Sequence, residues 1–199
     1  IGTDRTWLGA DYTGDVIERH KEYARHLKPP LKGLNIIVFS KRGFKEKIFK
    51  NNLAAYPTNS LFKIFYVLDA YSIGRKFLNS GLIVVQDPFL TGLAGWLLKR
   101  RLKIPLLIHF HGDFWQNKYW LKERWFNLLL LLLSRFLTKR VDGLRVVSSG
   151  IGQKLVAAGI DKNKIRVIPT PVDLEVFENY NMERARGLRE KHQNKKTII

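Results

Sequence analysis

Short apolar runs recur along this chain, and each stops at a turn-forming or polar residue. They are Asn35 to Ser40, Leu82 to Gln86, Pro105 to Phe110, Leu144 to Ser148 and Ile165 to Ile168. Runs of this kind predict buried strands. The stretches between them carry a helical period. Asp15 to Lys28 puts Val16, Ile17, Ala24 and Leu27 near one face, and Pro29-Pro30 stops it. Asn59 or Ser60 caps a helix running to about Asn79, with Leu61, Ile64, Phe65, Leu68 and Ile73 as core candidates. Further helices are predicted over Leu90 to Leu102, Tyr119 to Lys139 and Ile151 to Ala158, the last capped by Ser149 and closed by Gly159. Strands spaced by roughly 20–30 residues, with helices between, are the pattern of βαβ units. The fold class is therefore α/β, a parallel sheet flanked by helices.

Weaker elements fill the remainder. Lys41 to Lys50 reads as a basic loop, and Leu53 to Tyr56 as a weaker strand ended by Pro57. Ile1-Gly2 reads as the end of a truncated first strand, and Thr197-Ile198-Ile199 as the start of a last one. Met182 to Gln193 is polar and charged, a helix or a linker.

Composition removes several classes. Of the 199 residues, 45% are hydrophobic, enough for a core and too many for a disordered chain. Cysteine is absent, so neither a disulfide framework nor a thiolate metal site can form. The first residues, Ile1 to Ala10, lack the basic start and apolar core of a signal peptide. The block Leu128 to Leu133 is apolar all round, which predicts burial. Lys122, Glu123, Arg124 and Arg135 interrupt that helix well short of the ~20 apolar residues a bilayer span needs. Its tryptophans, with Lys118, Lys122, Lys139 and Arg140, also suit a helix lying on acidic lipid.

The formal charge is +18, from 35 Lys and Arg against 17 Asp and Glu. Such a field draws anions: nucleic acid, acidic headgroups or phosphorylated substrates. Runs such as Lys41 to Lys45 and Lys99 to Lys103 are otherwise solvated faces. No nucleic-acid motif appears, and no exposed stacking row of aromatics is evident, so no nucleic-acid partner is expected.

The most concentrated chemistry lies in Pro105 to Trp115. The apolar run ends in His109-Phe110-His111-Gly112-Asp113-Phe114-Trp115. In open α/β sheets, ligands bind at the carboxyl ends of strands. A packed histidine and a simple turn at Gly112 would account for the same residues.

The ordered strand ends carry a resemblance. They read Gly2-Thr3-Asp4-Arg5, then Gln86-Asp87-Pro88-Phe89 with Thr91-Gly92, then His111-Gly112-Asp113-Phe114. Arg145-Val146-Val147-Ser148 follows, and last Val167-Ile168-Pro169-Thr170-Pro171-Val172-Asp173 with Phe177. This order resembles the amino-terminal domain of GT-B glycosyltransferases of family 4, the retaining, nucleotide-sugar-dependent group. Thr170-Pro171 stands where the family has Asn-Gly, so the turn there differs.

The resemblance implies a Rossmann-like domain forming one half of a GT-B fold. It implies 1–178 as the acceptor-side domain, 179–196 as linker or helix, and 197–199 as the start of a donor-binding domain. Gly2 and Thr3 would lie in the first glycine-containing loop, near the donor phosphates. His111 matches the family's active-site histidine, close to the transferred sugar. Asp87 and Asp113 would face the cleft and hydrogen-bond acceptor hydroxyls, with Arg5, His109 and Gly112 beside them. Each has a structural reading too: Gly2 a turn, Asp87 or Asp113 a cap, Arg5 a solvated charge, His109 packed beneath the site.

Activity is implied as sugar transfer to a glycan or lipid-linked acceptor in cell-surface polysaccharide or glycolipid synthesis. No metal or other cofactor is implied, since the nucleotide-sugar is a co-substrate. The family's donor-binding carboxylates and basic pair do not occur in these residues, so the chain alone is expected to be inactive. The implied location is cytoplasmic, peripheral on an acidic inner membrane face. The alternative is a basic Rossmann-like module that binds nucleic acid or another polyanion without catalysis.

Overall fold

A computed structural model describes residues 1–9, 15–29, 31–50, 52–77, 81–115 and 117–170, with 186, 187 and 190. The expected turn at Pro171-Val172-Asp173, Phe177 and the Thr197 to Ile199 strand lie outside the described residues, as do the Met182 to Gln193 helix and the 179–196 linker except for 186, 187 and 190, which are helical. The chain divides into two compact units, Ile1–Ile168 and Pro169–Ile199. The first carries the fold.

Strands β1 (Leu34–Val38), β2 (Lys47–Phe49) and β3 (Leu53–Pro57) form one sheet in the order β1-β3-β2. β1 and β3 are parallel, and β2 lies antiparallel on the outer edge of β3. Strands β4 (Ile83–Val85), β5 (Leu106–Phe110), β6 (Gly143–Val146) and β7 (Ile165–Val167) form a second sheet in that order, all parallel.

Ile1 and Gly2 join the two sheets. The Gly2 N–H donates to the Ile37 carbonyl, and the Phe39 N–H to the Gly2 carbonyl, both at 2.9 Å. On the other side the Ile1 amino group donates to the Val84 carbonyl at 2.6 Å, and the Gln86 N–H to the Ile1 carbonyl at 3.1 Å. The strand end read at Ile1-Gly2 therefore lies mid-sheet, between β1 and β4.

Six helices are described: α1 (Asp15–Arg25), α2 (Tyr66–Gly74), α3 (Leu90–Leu102), α4 (Lys118–Glu123), α5 (Asn127–Thr138) and α6 (Ser149–Ala157). On one face, Ile17 of α1 joins Trp7 and Leu8 over Val38, Leu53 and Ala55. On the opposite face, Tyr66, Val67 and Ala70 of α2 and Ala94 of α3 cover Ile37 and Phe39. Leu98, Leu131, Leu137, Ile151 and Leu155 complete the larger core against Val85, Leu106, Ile108, Phe110, Leu144 and Val146. α3 approaches closely because residue 95 is glycine: a Cβ there would stand 2.6 Å from Val85 Cγ1. Side chains alternate along a strand. Leu107, His109, Gly143 and Arg145 therefore occupy the sheet face away from this core.

Several sequence expectations are corrected. The basic loop contains β2, a three-residue edge strand too short to show a period. The supposedly weaker strand, β3, is the centre of its sheet, with Leu53 and Ala55 fully buried. The single helix over Tyr119 to Lys139 is two, broken at Arg124 in extended conformation. The capping hydroxyl of α6 is Ser148, not Ser149. Leu61, Ile64, Phe65 and Leu68, expected in the core, are exposed, because α2 turns Tyr66, Val67 and Ala70 inward instead.

The block Leu128 to Leu133 is also not buried all round. Leu131 is in the core, whereas Leu128, Leu129 and Leu132 face solvent. Polar partners select the inward face. Asn127 Nδ2 donates to the Trp120 carbonyl, Trp115 Nε1 to Ser134 Oγ, and Thr138 Oγ1 to the Ser134 carbonyl.

Candidate functional site

The loop after β5 is held by its aromatics. Phe114 and Trp115 are buried. Phe114 stacks on Phe110 at 5.1 Å and packs against Phe89 at 4.7 Å, while Phe89 stacks on Trp120 at 5.8 Å. This wedge fixes both ends of His111-Gly112-Asp113 and leaves all three exposed. Nothing lies within 4 Å of a Cβ added at Gly112, so the space above it is open.

His109 is the last residue of β5 on the face away from the core, and its ring meets that of His111 edge-on at 5.6 Å. Burial first, then the Arg145 guanidinium and the neighbouring His111, hold His109 down to about 4 from an ordinary 6.5. His111 is lowered too, by burial and then by Arg145, with the Asp87 charge pulling the other way. Both imidazoles are thus held towards the neutral form, able to accept a proton or a hydrogen bond.

Asp87 follows β4. Its carboxylate accepts the Phe89 N–H at 2.8 Å, and its backbone N–H and carbonyl both meet Thr91 Oγ1 at 3.1 Å. Burial raises its pKa, against the hydrogen bonds from Phe89 and Thr91. Asp87 therefore shapes the turn into α3 and lends charge to His111. Asp113 forms an ion pair with Lys154 of α6 at 2.6 Å, while Asn117 rather than Asp113 caps α4.

At the sheet's middle, the Thr3 N–H donates to Gln86 Oε1 at 2.9 Å. A Cβ at Gly2 would stand 2.6 Å from that carboxamide, so glycine there lets Gln86 lie against the backbone. Arg5 is exposed, with its guanidinium 3.5 Å from the Tyr66 hydroxyl. Asp4 caps the short 3-10 turn Arg5–Trp7.

Gly2, Thr3, Asp87, His109, His111 and Asp113 thus all sit at carboxyl ends of parallel strands, the edge where open α/β sheets bind ligands. Two contributors were missed in the sequence. Gln86 occupies the Gly2-Thr3 backbone, and Arg145 stands opposite His109 in the β5–β6 register. Arg145 left a signal: a charge between Leu144 and Val146 marks the polar side of an alternating strand. Among the described residues, no group of three or more His, Asp or Glu is placed to hold a metal ion. No helix among them is long and apolar enough to cross a membrane.

Comparison with known proteins follows the same lines. Two crystal structures of the Anabaena protein HepE are similar to this chain. One is in complex with UDP and glucose (15% identity, TM-score 0.58) and covers 96% of this chain and 49% of its own. The other is in complex with UDP-glucose (13% identity, TM-score 0.59) and covers 96% of this chain and 48% of its own. At this identity the likeness establishes the fold, half of the GT-B architecture. The chain spans about half the length of these proteins. No curated protein sequence matches it. The family model described as Glycosyltransferase Family 4 matches residues 22–176, from α1 through every described strand after it. This chain belongs to glycosyltransferase family 4.

Proposed function

We propose that this chain supplies the acceptor-side half of a retaining glycosyltransferase. It transfers a hexosyl group from a nucleotide-sugar to a glycan or lipid-linked acceptor. UDP-sugars are the donors to try first, since HepE binds UDP and UDP-glucose. The product belongs to cell-surface polysaccharide or glycolipid synthesis, on the cytoplasmic side of the membrane. The carrying observation is the meeting of His109, His111, Asp87 and the Gly2-Thr3 backbone at one sheet edge in a family 4 chain. The family match disfavours a non-catalytic polyanion-binding module.

In this reading, charge develops on the leaving diphosphate and on the sugar carbon. Fixed N–H dipoles and cations meet the first. His111, held neutral in the exposed loop, lies against the sugar. Asp87 and Asp113 orient acceptor hydroxyls. The donor side is contributed by residues other than these, so the 199-residue chain alone does not turn over. The test is nucleotide release from a panel of nucleotide-sugars, by this chain and by the longest polypeptide that carries it. Turnover by the 199-residue chain alone contradicts the division into halves. Absence of turnover in any longer polypeptide contradicts the activity.

A further inference from the structure

α5 exposes apolar residues while it buries polar ones. Its inward face carries Asn127, Ser134 and Thr138 beside Leu131 and Leu137, all buried. Its outward face carries Leu128, Leu129 and Leu132, each more than half exposed, and ends at Phe136. Trp125, in the break before α5, is 84% exposed. Residues 128, 129, 132 and 136 fall on one side of α5, along about 12 Å. Water-facing helices place residues the other way round.

Cations rim the stripe. Lys118, Lys122 and Arg124 stand at its start, and Arg135, Lys139 and Arg140 along its end, all exposed. Arg140 lies 3.8 Å over the Phe136 ring. Phe136 packs edge-on against Trp96 of α3 at 5.1 Å, and Arg100 covers Trp96 at 5.2 Å. Apolar side chains inside a cationic border fit a surface with an apolar interior and anionic headgroups. A second copy packed face to face would bring two cationic rims together, which opposes it.

We infer that the outer face of α5, with Trp125 and the Trp96–Phe136 pair, is a docking surface for an acidic lipid bilayer. This rests on the membrane-side placement proposed above and names the surface responsible. Leu129 and Leu132 enter the headgroup boundary, and the flanking Lys and Arg meet lipid phosphates.

The test is co-sedimentation of the full chain with phosphatidylcholine vesicles, with and without about 30% phosphatidylglycerol. No sugar donor or acceptor is present, so the outcome is independent of the transferase assay. Binding is expected to the acidic vesicles, with a blue shift of tryptophan emission that shrinks in Trp125→Phe. It is expected to weaken at about 0.5 M salt. Leu129→Glu with Leu132→Glu should weaken binding about tenfold or more. Both side chains are exposed, and an unchanged far-UV spectrum verifies the fold. Phe62→Glu, on a separate exposed apolar segment, should bind as wild type. Equal binding to both vesicle types overturns the inference, as does wild-type binding by the Leu129/Leu132 variant. So does a dimer that the same variant dissolves, without vesicle binding.

Discussion

His109 of β5 stands directly across the parallel sheet from Arg145 of β6. The pairing puts a fixed positive charge beside a half-buried imidazole. Arg145→Gln should therefore raise the titration midpoints of both His109 and His111, read from histidine ring resonances by NMR. The sign for stability follows from His109, which falls from 6.5 to about 4 on folding. Between those values the unfolded chain binds a proton that the folded chain does not, so stability falls as pH drops through that window. Above pH 6.5 His109 contributes nothing. His109→Gln should flatten the fall in melting temperature, and an unchanged profile in that variant contradicts the assignment.

Asp87 acts on His111 in the opposite direction to Arg145. Asp87→Asn should lower the His111 midpoint further while an amide oxygen still accepts the Phe89 N–H. Asp87→Ala loses that bond as well and should cost about 1 kcal/mol of stability. A His111 midpoint that rises in Asp87→Asn would show that the two do not interact as described.

Gly2 and Gln86 should behave as a coupled pair. Gly2→Ala drives a methyl into the Gln86 carboxamide and breaks its contact with the Thr3 N–H. The displaced group is the end of a flexible side chain, so the expected cost is about 1 kcal/mol. In Gln86→Ala the same glycine change should cost much less. Additive losses in denaturant melts would place the strain elsewhere.

Buried Ser134 supplies the acceptor for the Trp115 indole N–H. Ser134→Ala leaves the buried Trp115 N–H unpaired and should destabilise by about 1–3 kcal/mol. The Lys154–Asp113 pair contrasts with it. Both side chains are part-exposed, and Lys154→Met should change stability by under about 1 kcal/mol.

The strand and helix order was legible because each strand is an apolar run that stops at a polar turn, as at Val85-Gln86-Asp87 and Phe110-His111-Gly112. α3 runs from Leu90 to Leu102, as the sequence suggested, following the proline turn at Asp87-Pro88-Phe89. The orientation of α5 was not. A block of six apolar residues has no polar side to face water, so its period cannot say which face turns in. That choice rests on distant partners of Asn127 and Ser134. Among the candidate site residues, His109, His111 and Asp87 stood out at strand ends. Gln86 and Arg145 act through residues far away in sequence, and only the sheet register brings them in.

The central claim is that the edge bearing His111 is one wall of a sugar-transfer site. It is tested most directly by the rate of sugar transfer from a nucleotide-sugar in an active polypeptide carrying this domain, wild type against His111→Ala. The account predicts a fall in kcat of about a hundredfold or more, with the melting temperature preserved, because the histidine is exposed. An unchanged kcat in a folded His111→Ala protein contradicts it.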